Sequence, residues 1–283
     1  MNDLIRSVFN VTQYFIVLFG NFFYERVTPV TKETILNIRI SRCRCALCAA
    51  LLVPSAAWAS HPLITDDAGT VGQGHFQFEV SGQADHNKEG GKTTGGGLAA
   101  ATLSYGITDT IDLVVGVPYL WTENDNGFSD TSVDVKFRVF EKDGLSFAIK
   151  PGLSLPTGDD DKGLGMGRLG GHLYLIGTKE IGAWSFNVNL GYIRNETSGD
   201  TDEKNIWHAS VAAIYTLNDQ WKIAADIVAD RNTDNDGDND PVSAIAGVIF
   251  SPTKDIDFDF GVKRGITSSA PDWSLMAGTT FKF

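Results

Sequence analysis

The chain has 283 residues, 42% of them hydrophobic and 20% charged, with a formal net charge of −12. This is a globular composition, without collagen-like or disordered bias, and its acidic balance excludes a nucleic-acid-binding surface, which needs a basic face to neutralise phosphates. Glycine, at 30 residues, exceeds its usual share, and the excess falls in turn-like stretches and on one face of the strand candidates.

Residues 1–35 contain VFNVTQYFIVLFGNFFY, an apolar stretch shorter than a membrane span and interrupted by Asn, Gln and Gly. A start codon assigned too far upstream explains this extension more simply than a transmembrane helix does. A cleaved signal peptide is expected at about 36–59. Arg39, Arg42 and Arg44 supply its basic region, ALCAALLVPSAAW its apolar region, and Ala57-Trp58-Ala59 its small-x-small cleavage site. Cys43, Cys45 and Cys48 all lie within it, so the mature chain has no thiol, and Leu47 before Cys48 speaks against lipidation. Cleavage after Ala59 removes six basic and three acidic residues and takes the net charge to −15. Residues 60–73 then form a periplasmic N-terminal segment or a plug, ahead of a barrel over 74–283.

From residue 74 onward an alternating segment of about ten residues recurs about twelve times, each followed by a turn. The segments run at 74–84, 97–105, 110–121, 130–140, 145–156, 170–179, 184–194, 206–216, 221–230, 242–251, 256–265 and 272–283. Their two faces differ. Val133, Val135, Phe137 and Val139 oppose Asp134, Lys136 and Arg138; Phe258, Phe260 and Val262 oppose Asp257, Asp259, Gly261 and Lys263. Brief connections such as EKDG and LNDQ alternate with long ones such as TGDDDKGLGMGRLG and RNTDNDGDND. These patterns predict an all-β fold, a transmembrane antiparallel up-and-down barrel of about 12 strands with short periplasmic turns and long extracellular loops.

Aromatic residues cluster near the strand ends: Tyr119, Trp121, Tyr192, Trp207 and Trp273 toward the long loops, and Trp184, Tyr215, Trp221, Phe250 and Phe283 toward the short turns. Two interfacial girdles follow, because these rings combine an apolar body with a wet edge. The chain stops at Phe283 after MAGTTFKF. In a barrel this ending makes sense if Phe283 meets lipid at the periplasmic rim and the last strand closes on the first. Phe281 and Phe283 are then the C-terminal signal for the barrel-assembly machinery.

HPLITDDAGT at 61–70 and GHFQFE at 74–79 resemble the start of the outer-membrane family named for a meta-pathway of phenol degradation, whose members are often described as transporters. YGITD at 105–109 and LPTGD at 155–159 resemble it too, and the likeness spans about 61–283. The resemblance implies an outer-membrane barrel with an uptake role. The family name does not establish phenol as a substrate.

Selectivity in a pore is set by the charge and radius of its lining. The expected lumen-lining residues are Glu79, Lys136, Arg138, Lys150, Lys222, Asp226, Asp257, Asp259 and Lys263, with Lys282 beside them. Their mixed signs suit neither a strongly cationic nor a strongly anionic filter, and cross-strand pairing that fills a narrow lumen is an equal alternative. Asn232, Asp234, Asp236 and Gly237 imitate half a calcium loop, but Ser243 stands where its bidentate Glu belongs. A solvated acidic loop is the better account there, as it is for Asp159, Asp160 and Asp161. His208 and Ser210 share a strand face and invite comparison with a serine-hydrolase barrel, yet the sequence offers no obvious orienting Asn or Asp. His61, His75 and His172 stand apart from one another, so no metal or cofactor is expected. GGKTTGGG and GLGMGRLGG lack the context of a phosphate loop and suit outer loops.

The reading is therefore a monomeric channel or transporter of the Gram-negative outer membrane, without catalytic residues. It passes small solutes, hydrophobic or aromatic ones included, by diffusion through a lumen gated by loops or by residues 60–73. Its partners are membrane lipid and lipopolysaccharide, the assembly machinery and the solute, with no nucleic acid. The alternatives are an outer-membrane hydrolase of phospholipase type and a noncatalytic surface scaffold or adhesin.

Overall fold

A computed structural model describes residues 61–283 except 90–91, 124, 195–202 and 234–238. The expected extension and signal peptide lie outside the described residues, as do Asp234, Asp236 and Gly237 of the calcium-like loop. The strands are β1 (Phe76–Glu89), β2 (Lys92–Thr108), β3 (Ile111–Trp121), β4 (Asn126–Phe128), β5 (Thr131–Lys142), β6 (Leu145–Leu155), β7 (Gly170–Ile181), β8 (Trp184–Arg194), β9 (Asn205–Thr216), β10 (Trp221–Asp230), β11 (Val242–Thr253), β12 (Ile256–Gly265) and β13 (Trp273–Lys282). Each long strand pairs antiparallel with its sequence neighbours, and β1 pairs with β13 from Gln77↔Lys282 to His86↔Trp273. Apart from the three-residue β4, which pairs only with β3 among the described residues, the strands close into a 12-stranded barrel. At the seam Phe76 and Phe283 exchange both backbone bonds, at 3.1 and 2.9 Å.

The two faces of each strand meet different surroundings. Val80, Leu190, Phe258 and Phe260 are exposed on the outside, while Asp134, Lys136, Asn187, Asn189, Asp226, Asp257 and Asp259 are buried. A soluble protein would do the reverse, so this inverted distribution is the sidedness of a barrel in hydrocarbon. At the short-turn rim Phe76 packs at a tilt on Tyr105 at 4.5 Å, Trp221 on Phe250 at 4.6 Å and Trp184 on Tyr215 at 4.7 Å. At the opposite rim Tyr119 meets Phe128 edge-on at 5.3 Å and Trp273 stacks on His86 at 4.9 Å.

The short turns follow local chemistry. Asp143 and Gly144 both have positive φ, 51° and 69°, as a two-residue type I′ hairpin requires. Two long connections differ from the sequence reading. DHNKEGGKTTGG, the stretch left between the expected segments at 74–84 and 97–105, largely continues β1 and β2, which pair from Phe76↔Tyr105 up to Glu89↔Lys92. Its polar composition reflects a ribbon beyond the apolar band, where alternation no longer marks a strand. Between β3 and β5 the chain pairs again as β4, and Asp130 turns to accept from Gly158 N (3.0 Å) and Met166 N (2.7 Å). Those bonds tie the 156–169 loop to the same rim, with Leu164 buried in it.

Candidate functional site in the barrel lumen

Residues 61–73 cross the barrel interior before the chain enters β1. Backbone groups in such a segment have no ladder to satisfy them, so the wall has to supply partners. Asp226 on β10 accepts from Ile64 N (2.8 Å), Thr65 N (2.9 Å) and the Thr65 hydroxyl (2.6 Å). Asn189 on β8 accepts from Asp66 N and donates to Asp66 O, both at 2.7 Å. Thr178 on β7 accepts from Ala68 N at 2.8 Å and donates to Asn187 at 2.7 Å. Asp112 on β3 accepts from Val71 N at 2.9 Å, while the Thr70 hydroxyl donates to Asp109 O at 2.8 Å.

One ion-pair cluster stands at the centre. The Asp66 carboxylate lies 3.0 Å from both Lys136 Nζ on β5 and Lys150 Nζ on β6. Burial alone would raise the Asp66 carboxyl, but the two ammonium groups outweigh it and hold the group below the usual carboxylate range. Its neighbour Asp67 has no such clamp. Burial pushes Asp67 up to about 6, against an opposing pull from Lys136 and with a further push from Asp66. Asp67 Oδ1 accepts from Gly69 N at 2.6 Å, and Oδ2 is buried with no partner among the described residues.

Small residues make the space. Leu63 packs on Ala212 and Ala224, and Ala68 on Ala148 and Ile176. Gly247 and Gly261 are paired across β11 and β12, and a Cβ on them would fall 2.4 Å from Pro62 Cγ and 2.7 Å from Pro62 Cβ. His61 donates from Nδ1 to Asp259 on β12.

The expected lumen residues thus divide. Lys136, Lys150, Asp226 and Asp259 bind the crossing segment, and Glu79 lines a cavity of about 220 Å³ beside it. Arg138 instead donates to Asp109 O at the short-turn rim (2.8 Å), and Asp257 pairs with Lys282 (2.6 Å) and Ser251 (2.5 Å). Lys222 lies at that rim too, on the interior face near the start of β10, and Lys263 lies buried toward the long-loop end of β12. Asn189, Thr178, Asp112 and Asp134 were not among the expected site residues, although each is a polar side chain in the interior phase of its strand.

Two histidine readings change. His172 is hydrogen-bonded to Asp134. His208, for which the sequence showed no orienting acid, points Nδ1 at Asp230 (2.7 Å) and accepts from the Ser210 hydroxyl at Nε2 (3.0 Å). The acid was hidden because it is contributed by the next strand, at the register Asp230↔His208.

Among solved structures the chain is similar to the COG4313 outer membrane channel from Pseudomonas putida F1, at 16% identity and TM-score 0.59, over 75% of this chain and 96% of that one. It is similar as well to the KdgM porin, at 13% identity and TM-score 0.51, over 73% of this chain and 99% of that one, and KdgM has also been solved in complex with disordered oligogalacturonate. At these identities the likeness establishes the fold. No curated protein matches the chain in sequence. The barrel, its lipid-facing band and its similar structures place the protein in the bacterial outer membrane. Residues 59–283 match the family described as "Putative MetA-pathway of phenol degradation", and the chain belongs to that family.

Proposed function

We propose that the protein is a noncatalytic outer-membrane channel that passes small solutes by diffusion, with residues 61–73 as a plug seated in its lumen. The observation that carries this reading is the crossing segment itself. It is bonded to seven strands of a closed, polar-lined barrel through Asp112, Lys136, Lys150, Thr178, Asn189, Asp226 and Asp259, yet leaves a cavity beside it. That similar solved barrels are a channel and a porin supports the role. The expected lining residues set the field in that lumen, with Glu79, Lys136, Lys150, Asp226 and Asp259 nearest the plug. Small hydrophobic or aromatic solutes fit the family name, and the C-terminal Phe281 and Phe283 suit recognition by the assembly machinery.

Purified protein in planar bilayers should show discrete conductance that increases in Asp66→Ala, where the plug loses its central anchor. Bilayers that stay sealed with both proteins would overturn the channel reading.

The Ser210–His208–Asp230 chain favours a second reading, hydrolysis at Ser210. Ser210 is buried, and the neighbouring Asn189 amide is already committed to Asp66, which leaves it unable to serve an oxyanion. Labelling of the wild type by a fluorophosphonate, abolished in Ser210→Ala, would establish it; an unlabelled wild type would dismiss it.

A further inference from the structure

The plug is bonded unevenly. Its charged and backbone anchors lie mainly on β5–β8, β10 and β12: Lys136, Lys150, Thr178, Asn189, Asp226 and Asp259. Toward β1, β2 and the start of β3, among the described residues only Val71 and its neighbours are tied, through Asp112 and Asp109. The cavity opens on this side, between the plug and Gln77, Glu79, Thr102, Ser104 and Asp112.

The chemistry of that wall is one-sided. Gln77 Oε1 and Asp112 Oδ1 are buried without a hydrogen-bond partner, and the Glu79 carboxylate has neither a hydrogen bond nor an ion pair among the described residues. Unmet buried acceptors are costly, so they mark places where a donor belongs. Lys136 and Lys150 each spend one N–H on the Asp66 carboxylate they share, and the acidic side chains on the cavity, Asp66, Glu79 and Asp112, outnumber the two lysines. At about 220 Å³ the space far exceeds the ~15 Å³ that one water needs and falls short of the ~300 Å³ at which sites for drug-sized ligands begin.

Resting on the channel reading, we propose that the solute path runs past the plug along the β1–β3 wall, where Gln77, Glu79 and Asp112 form an acceptor site for small hydrogen-bond donors. The solutes it takes are hydroxyl- or ammonium-bearing molecules of a few heavy atoms, and small carboxylates are disfavoured. Acceptors aimed at the solute stabilise it on entry without the full neutralisation that would trap it.

The test uses the mature protein in planar bilayers, with ethanolammonium on one side, acetate as its counter-ion, and reversal potential and conductance as readouts. The wild type should prefer ethanolammonium over acetate. Glu79→Gln, which keeps the side chain's shape, should reduce that preference several-fold, and Thr102→Trp should remove most of the conductance. Heat-modified migration on gels shows that each barrel has assembled. If the assembled variants conduct with wild-type selectivity and magnitude, the path lies elsewhere and this inference fails, while the channel reading stands. If wild type and Asp66→Ala alike pass no current, both fail. A wild type that prefers acetate overturns the acceptor site alone.

Discussion

Asp66 and Asp67 are adjacent carboxylates with opposite surroundings, and their effects on the plug should differ in kind. Removing Asp66 strands two ammonium groups in the lumen, and breaking a buried pair in this way costs roughly 3–5 kcal/mol. Asp66→Ala should therefore lower the unfolding midpoint as well as raise conductance, while Asp66→Asn should show the conductance effect in milder form. Asp67 is favoured in its neutral form, since burial raises its carboxyl from 3.8 to about 6. Its contribution to the seated plug is complete below the unfolded value and is lost as pH rises through the folded one. Asp66 stays ionised across that window. Open probability should thus increase between about pH 4 and about pH 6, and Asp67→Asn should flatten the rise. A wild-type trace independent of pH would remove Asp67 from the gating account. Both carboxylates were visible in the sequence as part of HPLITDD, but the partners of Asp66 lie 70 and 84 positions away, a distance that no local pattern spans.

At the level of strands, the period of two was enough to read nearly every spanning segment, because one side of each must be apolar over its whole length. It failed where that requirement ends, on the polar upper ribbon of β1 and β2 and at the short β4. It could also say that the interior face was polar and small without saying why. The reason is the plug: alanines and glycines on β6 and β9–β12 leave room for Pro62, Leu63 and Ala68. Gly261→Val tests this. Its side chain would enter the space of Pro62, and overpacking of this sort costs about 1–3 kcal/mol. The barrel should assemble, with a lowered unfolding midpoint and a plug that an added protease cuts faster. Unchanged proteolysis of residues 61–73 would mean that the glycine shelf does not support the segment.

For the whole molecule, the decisive arrangement is the inversion of inside and outside. Phe260 sits near the middle of β12, paired with Val248 on β11 and Ala277 on β13, and is 49% exposed on the outer surface. In water such a ring among other exposed apolar side chains would be an aggregation hazard, whereas in a bilayer it is at its most favourable depth. The interior residues on either side, Asp259 and Gly261, face His61 and Pro62, so a change at Phe260 leaves the plug and its anchors untouched. Phe260→Arg should consequently cost about 2–4 kcal/mol in reversible folding into lipid vesicles, the range for a cation on the lipid face at the midplane. Conductance of the molecules that do insert should match the wild type. Exchange at the rim, such as Phe283→Arg, should cost about 1 kcal/mol or less, because there the side chain reaches water. Equal penalties at the two positions would mean that the band does not meet hydrocarbon, and the separation of lipid-facing from solute-facing surfaces would lose its basis.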